Sequence, residues 1–342
     1  MRDFNVLFTC CGMHVSERIE NLRNNEDGVN VKVFACNSNP DNLPYGLDVE
    51  GCFVVPPIHH PDYIDVIVGI CKENDIDVII PNVTLELQFM ADYREDFERH
   101  GIKVSIASSE AIKISNNKLH LYERYSSLMP PTIATTSFHD LLSFDASIPN
   151  DHRLCVKLTD HCGGNGFAIL DDEKARDMTL FNRYGENRYV SYDEMEEVMR
   201  NLDKSILVQE YIDGTDYSIS ALADNGEVKH MVGYIGHTMS FGAIEYGEIQ
   251  NNYYAEVRVR DICRDLKLDG NVCFDFRIDK DCKVYLLEIN PRVNASLPFV
   301  AKAGINMLYL RCKQLLGHSI DGSYPIKERL RMKKYRESKY FY

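Results

Sequence analysis

The 342 residues include 38 Lys and Arg against 52 Asp and Glu, for a formal net charge of −14, with 44% of the chain apolar and 26% charged. Such an acidic surface repels nucleic-acid backbones and anionic headgroups, so no nucleic acid and no membrane is expected among the partners. The apolar content argues against disorder, and the length calls for more than one domain. The 11 cysteines are odd in number, scattered, and form no C-x-x-C pair. They read as free thiols of a reducing compartment. No apolar run approaches the ~20 residues of a membrane span, so the expectation is a cytoplasmic protein.

In chain order, strand-like runs at 6–8, 31–35, 53–55, 78–80 and 103–106 alternate with helical patterns at 15–23, 63–73 and 85–100. That alternation predicts a parallel, doubly wound sheet ending near Ser108. A helical segment over 109–128 carries Lys118 and stops at Pro130-Pro131. Strands at 154–158 and 167–170 flank the glycine-rich Cys162-Gly163-Gly164-Asn165-Gly166 and read as a hairpin. A helix over 191–202 follows, then strands at 206–212 and 217–223 with a turn at Asp213-Gly214 between them.

The most informative stretch is 272–292. Phe274, Phe276 and Ile278 alternate with Asp275, Arg277 and Asp279, and beyond residues 280–283 the alternation resumes. Taken as an antiparallel hairpin, this sets Asp275 across from Glu288 and Phe276 across from Leu287. Opposed carboxylates repel unless something positive sits between them, and Asp275, Glu288 and Asn290 together offer oxygen ligands suited to hard Mg²⁺. Ordinary solvent-facing strand residues are the other reading of this pair. Lys157, just before the glycine loop, sets a cation beside backbone N–H groups that can cradle phosphates, although a G-G-x-G loop taken alone reads better as a plain turn.

Lys118, then Lys157 with its loop, then residues 209–218, then Asp275, then Leu287-Glu288-Ile289-Asn290-Pro291-Arg292 form an ordered set that resembles the ATP-grasp superfamily, in particular single-unit proteins of its carbamoyl-phosphate-synthase-like branch. The likeness extends over roughly residues 4–318, including Pro81 to Leu87 and Ser108 to Ile112. It implies an α/β architecture in which a doubly wound parallel-sheet domain (1–108) precedes an ATP-grasp fold of two α+β subdomains (109–205 and 206–318) with nucleotide in the cleft, and a tail follows at 319–342. It implies that Lys118 and Lys157 contact ATP phosphates under a loop containing His161, Gly163, Gly164 and Gly166. Glu210, Tyr211 and Ile212 would bind the adenine edge and Asp216 the ribose. Asp275, Glu288 and Asn290 would ligate Mg²⁺, with Mn²⁺ as a chemical substitute, and Arg292 would stand at the transferred phosphate.

Several positions depart from the family pattern. Asn117 precedes Lys118 where Asp is usual, Asp216 is shorter than the common Glu, and residues 232–249 hold no Lys or Arg, leaving His237 as their basic candidate. Asn294-Ala295-Ser296 replaces a glycine-rich continuation. Glu86, His237 and Ser296 are the candidate substrate contacts, a helix-capping carboxylate being the equal rival for Glu86. Residues 10–14 lack G-x-G-x-x-G spacing, which argues against NAD. The basic, aromatic tail from Lys327 to Tyr342 has a composition that suits an anionic partner, but a closing strand or helix with a solvated basic side is the favoured reading.

The resemblance implies an ATP-dependent carboxylate–amine ligase working through an acyl phosphate on small-molecule acid and amine substrates, an amino acid being the favoured acid. Relatives are often dimers, so a homodimer is allowed. Two other readings stay open: a bicarbonate-phosphorylating, carboxylase-like or carbamoyl-phosphate-synthase-like enzyme, and an ATP-binding sensor without turnover.

Overall fold

The structure is a computed structural model that describes residues 1–12, 15–149, 152–159, 166–176, 189–240, 243–335, 338 and 340. Its strands are β1 (Phe4–Thr9), β2 (Val31–Asn37), β3 (Gly51–Val54), β4 (Val78–Pro81), β5 (Lys103–Val104), β6 (Thr132–Thr135), β7 (Arg153–Leu158), β8 (Phe167–Leu170), β9 (Tyr189–Val190), β10 (Ile206–Tyr211), β11 (Gly214–Asp224), β12 (Glu227–Ser240), β13 (Ala243–Ile249), β14 (Gly270–Asp279), β15 (Val284–Asn290) and β16 (Arg331–Lys333).

The first five strands form one parallel sheet in the order β3-β2-β1-β4-β5. Its three central strands, β2, β1 and β4, are short, largely apolar runs buried on both faces, as parallel strands covered by helices must be. Sheet order reverses between β1 and β4, so their carboxyl ends open a crevice. The helical stretch expected over 85–100 is two helices, Thr84–Asp92 and Arg94–Arg99, meeting at Tyr93.

The second sheet runs β6-β10-β7-β8-β9, and its small core is made by Leu141, Leu154, Val156, Met195, Met199, Ile206 and Val208. β7 and β8 pair antiparallel with Lys157 opposite Phe167, as the hairpin reading requires. The third sheet, β15-β14-β11-β12-β13-β16, is antiparallel throughout. Behind it packs the helix Tyr253–Leu266, whose Ala255, Val259, Ile262, Cys263 and Leu266 recur on one face and are buried. Asn252 caps that helix by accepting from Ala255 N at 3.1 Å.

Two sequence expectations change here. The Asp213-Gly214 step is not the turn of a hairpin: β10 belongs to the second sheet and β11 to the third, so residues 212–213 carry the chain across the cleft between sheets. The 109–128 helix is interrupted at Asn116-Asn117 into Ser109–Ser115 and Lys118–Tyr125. Asn117 caps the second helix by accepting from Leu119 N at 2.9 Å and His120 N at 3.2 Å.

The parallel sheet and the third sheet share one core, in which Leu7, Ile79 and Leu87 join Phe274, Phe276, Leu286 and Ile289 through Leu121 and Tyr125. On the sheet's other face the helix Val15–Arg23 packs against the helices Leu297–Ala303 and Met307–Leu315, tied by Asn306 Nδ2 donating to Asn21 O at 2.6 Å. Among the described residues, no helix is long and apolar enough to cross a membrane.

Candidate active site

The hairpin β14–β15 forms around residues 280–283, with Asp279 N donating to Lys283 O at 3.1 Å. Asp275 lies directly across from Glu288, as the alternation implies. The next rung does not: Phe276 faces Leu286 rather than Leu287, and Leu287 is the extra residue of a β-bulge. The correction has a packing cause. Val284, Leu286 and Ile289 are all buried in the core, and uninterrupted alternation from Leu286 would have turned Glu288 inward with it. One extra residue lets Leu286 pack on the core while Glu288 and Asn290 face the cleft.

Asp275 accepts from Ser218 Oγ at 2.7 Å on one oxygen and from Asn290 Nδ2 at 3.0 Å on the other. Burial, with the facing Glu288 charge second, pushes its carboxyl up to about 6. Both causes favour the protonated carboxyl, and a cation between the two carboxylates would favour the ionised one. Among the described residues no group of three or more His, Cys, Asp or Glu could hold a metal. Asp275, Glu288 and Asn290, the residues expected to hold Mg²⁺, lie together on this face, and two carboxylates with an amide carbonyl have the chemistry that suits that ion.

Cations stand around this pair. Lys118 Nζ lies 3.6 Å from Glu288, and its backbone N donates to Thr159 O at 2.9 Å, which fastens its helix to the end of β7. Lys157 Nζ donates to Gln209 Oε1 at 2.6 Å, and Gln209 Nε2 in turn to Thr132 Oγ1 at 2.8 Å. Burial and the nearby Lys118 charge lower the Lys157 pKa. Arg292 donates from Nε to Thr84 Oγ1 at 3.0 Å and from Nη1 to Val293 O at 3.0 Å, so it is braced against the parallel-sheet domain. Of the expected loop residues, Gly166 has φ +70°, a left-handed conformation that suits glycine, and immediately precedes β8. His161, Gly163 and Gly164 lie outside the described residues.

Glu210 and Tyr211 end β10, with Ile212 beginning the step between sheets. Glu210 N donates to Pro131 O at 2.9 Å, and its carboxylate meets His152 Nδ1. The Arg153 guanidinium lies 5.0 Å from the Tyr211 ring centroid. Asp216 shares the third sheet's cleft face with Ser218 and pairs with Arg277 at 2.8 Å. Burial raises its pKa against the pull of Arg277.

The three candidate substrate contacts separate. Glu86 is fully buried and accepts from Asn82 N at 2.6 Å and Val83 N at 3.0 Å, the geometry of a helix-capping carboxylate. His237 is exposed at a bulge of β12, its ring 4.9 Å from that of Tyr246. Ser296 is buried, and its backbone N donates to Asn294 Oδ1 at 2.9 Å. Asn294 also donates from Nδ2 to Ser220 Oγ at 2.9 Å and to Tyr234 OH at 3.2 Å. Sequence reasoning passed over Ser218, Gln209, Arg18 and Lys334. Ser218 and Gln209 lie within the 209–218 motif and Lys334 within the basic tail, while Arg18 carried no signal of its own.

Family models match two parts of the chain. One described as "ATP-grasp in the biosynthetic pathway with Ter operon" matches residues 203–338, and one described as "PylC-like, N-terminal domain" matches residues 6–105. The carbamoyl phosphate synthase large chain of Thermoanaerobacter sp. (strain X514) is 23% identical over 307 residues, covering 85% of this chain. The chain spans about a quarter of that relative's length (26%). Among solved structures, an L-amino acid ligase from Bacillus licheniformis superposes with a TM-score of 0.63 at 19% identity, over 93% of this chain and 75% of that one. The biotin carboxylase domain of the Hydrogenobacter thermophilus 2-oxoglutarate carboxylase, in complex with MgADP, ADP and bicarbonate, superposes with a TM-score of 0.69 at 14% identity, over 97% and 74% of the two chains. At these identities the structural likeness is one of fold.

Proposed function

The chain is a member of the ATP-grasp superfamily with a PylC-like N-terminal domain, and on that premise we propose that it is an ATP-dependent carboxylate–amine ligase. The observation that carries the reading is the single rung where Asp275 faces Glu288, with Lys118 3.6 Å from Glu288 and Asn290 3.0 Å from Asp275. Relatives of the same fold include ligases and carboxylases.

A free carboxylate is unreactive toward amines, so the acid is first phosphorylated: its oxygen attacks the γ-phosphorus, ADP leaves, and the amine then displaces phosphate from the acyl phosphate. That chemistry asks for in-line positioning and charge neutralisation rather than a covalent nucleophile. Mg²⁺ held by Asp275, Glu288 and the Asn290 carbonyl would neutralise charge on the phosphates. Lys118 and Lys157 supply positive charge at the phosphate end of the cleft. Gln209, fixed by Thr132, orients the Lys157 ammonium. Arg292, held by Thr84, brings a guanidinium to the phosphorylated carboxylate. Glu210, Tyr211 and Ile212 offer the adenine a backbone edge, and Asp216 takes the ribose once Arg277 yields it. The domain limits near 108, 205 and 318 are proposed with this reading.

The test is ADP release with Mg²⁺ across a panel of carboxylic acids and amines, with bicarbonate in an amine-free arm. Stimulation by an acid–amine pair is expected, and bicarbonate-dependent turnover without amine would favour the carboxylating alternative. Tight ATP binding with no stimulated release would overturn the ligase reading. Glu288→Gln is expected to lower turnover at least 100-fold on the scale of losing a metal ligand, with unchanged folding; undiminished activity would sink the metal assignment.

A further inference from the structure

Arg18, Arg292 and Lys334 lie close to one another on the Arg292 side of the Asp275–Glu288 pair, and among the described residues none of them has a carboxylate within salt-bridge distance. Arg18, in the helix that follows β1, is only 5% exposed. Its Nη1 donates to Asn82 Oδ1, while its Nε is buried without any partner. Arg292 holds Thr84, two residues along the same loop and helix start. Lys334 comes from the tail: β16 pairs with β13, Lys334 N donates to Glu245 O at 2.8 Å, and its half-buried ammonium rests 3.4 Å from Ala295 O. Residues 82–84, 292–295 and 334 thus bring two guanidiniums and an ammonium to one place.

Buried charges are normally paired, and an uncompensated cluster of like charge destabilises the fold that holds it. Burial and the neighbouring Arg292 charge pull Arg18 down to about 10 against a smaller opposing pull from Glu17, and burial lowers Lys334 against the pull of Glu17 and Glu245, with Arg18 adding to the lowering. The cations form a series. Arg292 is near both Asp275 and Arg18, and Arg18 is near Lys334. Arg292 therefore borders the phosphoryl site while Arg18 and Lys334 lie farther along. β12 and β13 contribute no Lys or Arg between residues 232 and 249, so the positive charge on this side of the cleft enters from the parallel-sheet domain and the tail.

We propose that Arg18 and Lys334 form a subsite for a second anionic group on the acid substrate, a carboxylate or a phosphate separate from the carboxylate activated beside Arg292. This rests on the ligase reading and narrows its substrate class to doubly anionic acids. Arg18 supplies a rigid donor from the buried side, and Lys334 a mobile one from the tail.

The experiment compares ADP release with matched pairs that differ in one charge: glutamate against glutamine, aspartate against asparagine, and phosphoserine against serine, at saturating Mg²⁺ and ATP. The wild-type protein should prefer the charged member of at least one pair by about tenfold or more, the scale of a charge-assisted hydrogen bond. The first two pairs report a carboxylate and the third a phosphate. Lys334→Met should collapse that ratio through KM rather than kcat, and Lys334→Arg should restore much of it. Arg18→Gln should act in the same direction if it folds, and the two Lys334 variants decide the matter if it does not. Equal kcat/KM within every pair, or a preference that survives Lys334→Met, overturns the proposal. If no acid stimulates ADP release the ligase reading has failed, and calorimetry with glutamate and phosphoserine then decides the subsite: Lys334-dependent binding of either supports it, and no binding of both refutes it.

Discussion

Replacing Asp275 by Asn should make the metal-free protein more stable at neutral pH while removing turnover. The Asp275 carboxyl is pushed up from an ordinary 3.8 to about 6, mainly by burial and then by Glu288. At about 1.4 kcal/mol per pKa unit, a shift of roughly two units amounts to about 3 kcal/mol, an upper figure because the group is partly open to the cleft. For an acid whose folded pKa is raised, the folded state binds more protons between the two values. Stability is therefore greatest below about pH 4 and falls as pH rises through about 6. The substitution removes that loss. Asn can still accept from Ser218, but it presents an amide to Asn290 Nδ2, which costs about 1 kcal/mol. A net gain of up to about 2 kcal/mol at pH 8 remains. Urea unfolding in EDTA at pH 5 and pH 8 measures it, as the difference between variant and wild type. Adding Mg²⁺ and ADP should stabilise only the wild type. An Asn variant less stable than wild type at pH 8 in EDTA, or equally stabilised by Mg²⁺ and ADP, would refute the reasoning.

Two further predictions concern the frame that holds the cleft. A Cβ at Gly233 would stand 1.8 Å from the Tyr217 hydroxyl oxygen and 2.8 Å from Gln250 O, so Gly233→Ala should cost about 2 kcal/mol or more in urea unfolding. Arg311 is 1% exposed and donates to both Asp269 oxygens at 3.1 and 2.7 Å, so Asp269→Ala should cost about 3 kcal/mol by leaving a buried guanidinium with only the neutral partners Gln314 and Ser105. A loss under 1 kcal/mol in either variant would contradict the packing described.

Local pattern revealed the parts of this protein that are local. The parallel sheet was legible because its buried strands and helical periods alternate along the chain, and the Asp275–Glu288 rung because a hairpin with a four-residue loop fixes its own register. The bulge at Leu287 was not legible, since an apolar residue satisfies simple alternation as well as it does an interruption. Residues 211–214 read as an ordinary hairpin turn because a step between sheets uses the same Asp-Gly chemistry. Arg18 lies in the helical pattern over 15–23 and Lys334 in the basic tail, and neither stands out within its own segment. What brings them together is packing between elements some 300 positions apart, and no pattern within a window of sequence carries that. Asn117 was noticed as a departure, but its role as a helix cap needed the break between two helices to be seen.

The bulge also changes how the hairpin can vary. Before it, Val284 and Leu286 answer to the core, and after it, Glu288 and Asn290 answer to the cleft. Leu287 acts as a phase shifter between two alternations that run out of step by one residue. Substitutions on either side can be absorbed by the half they belong to, but inserting one residue between Leu287 and Glu288 would turn Glu288 and Asn290 toward the core. Chemistry and packing thus share one strand while keeping separate time, and strand length is the quantity both depend on.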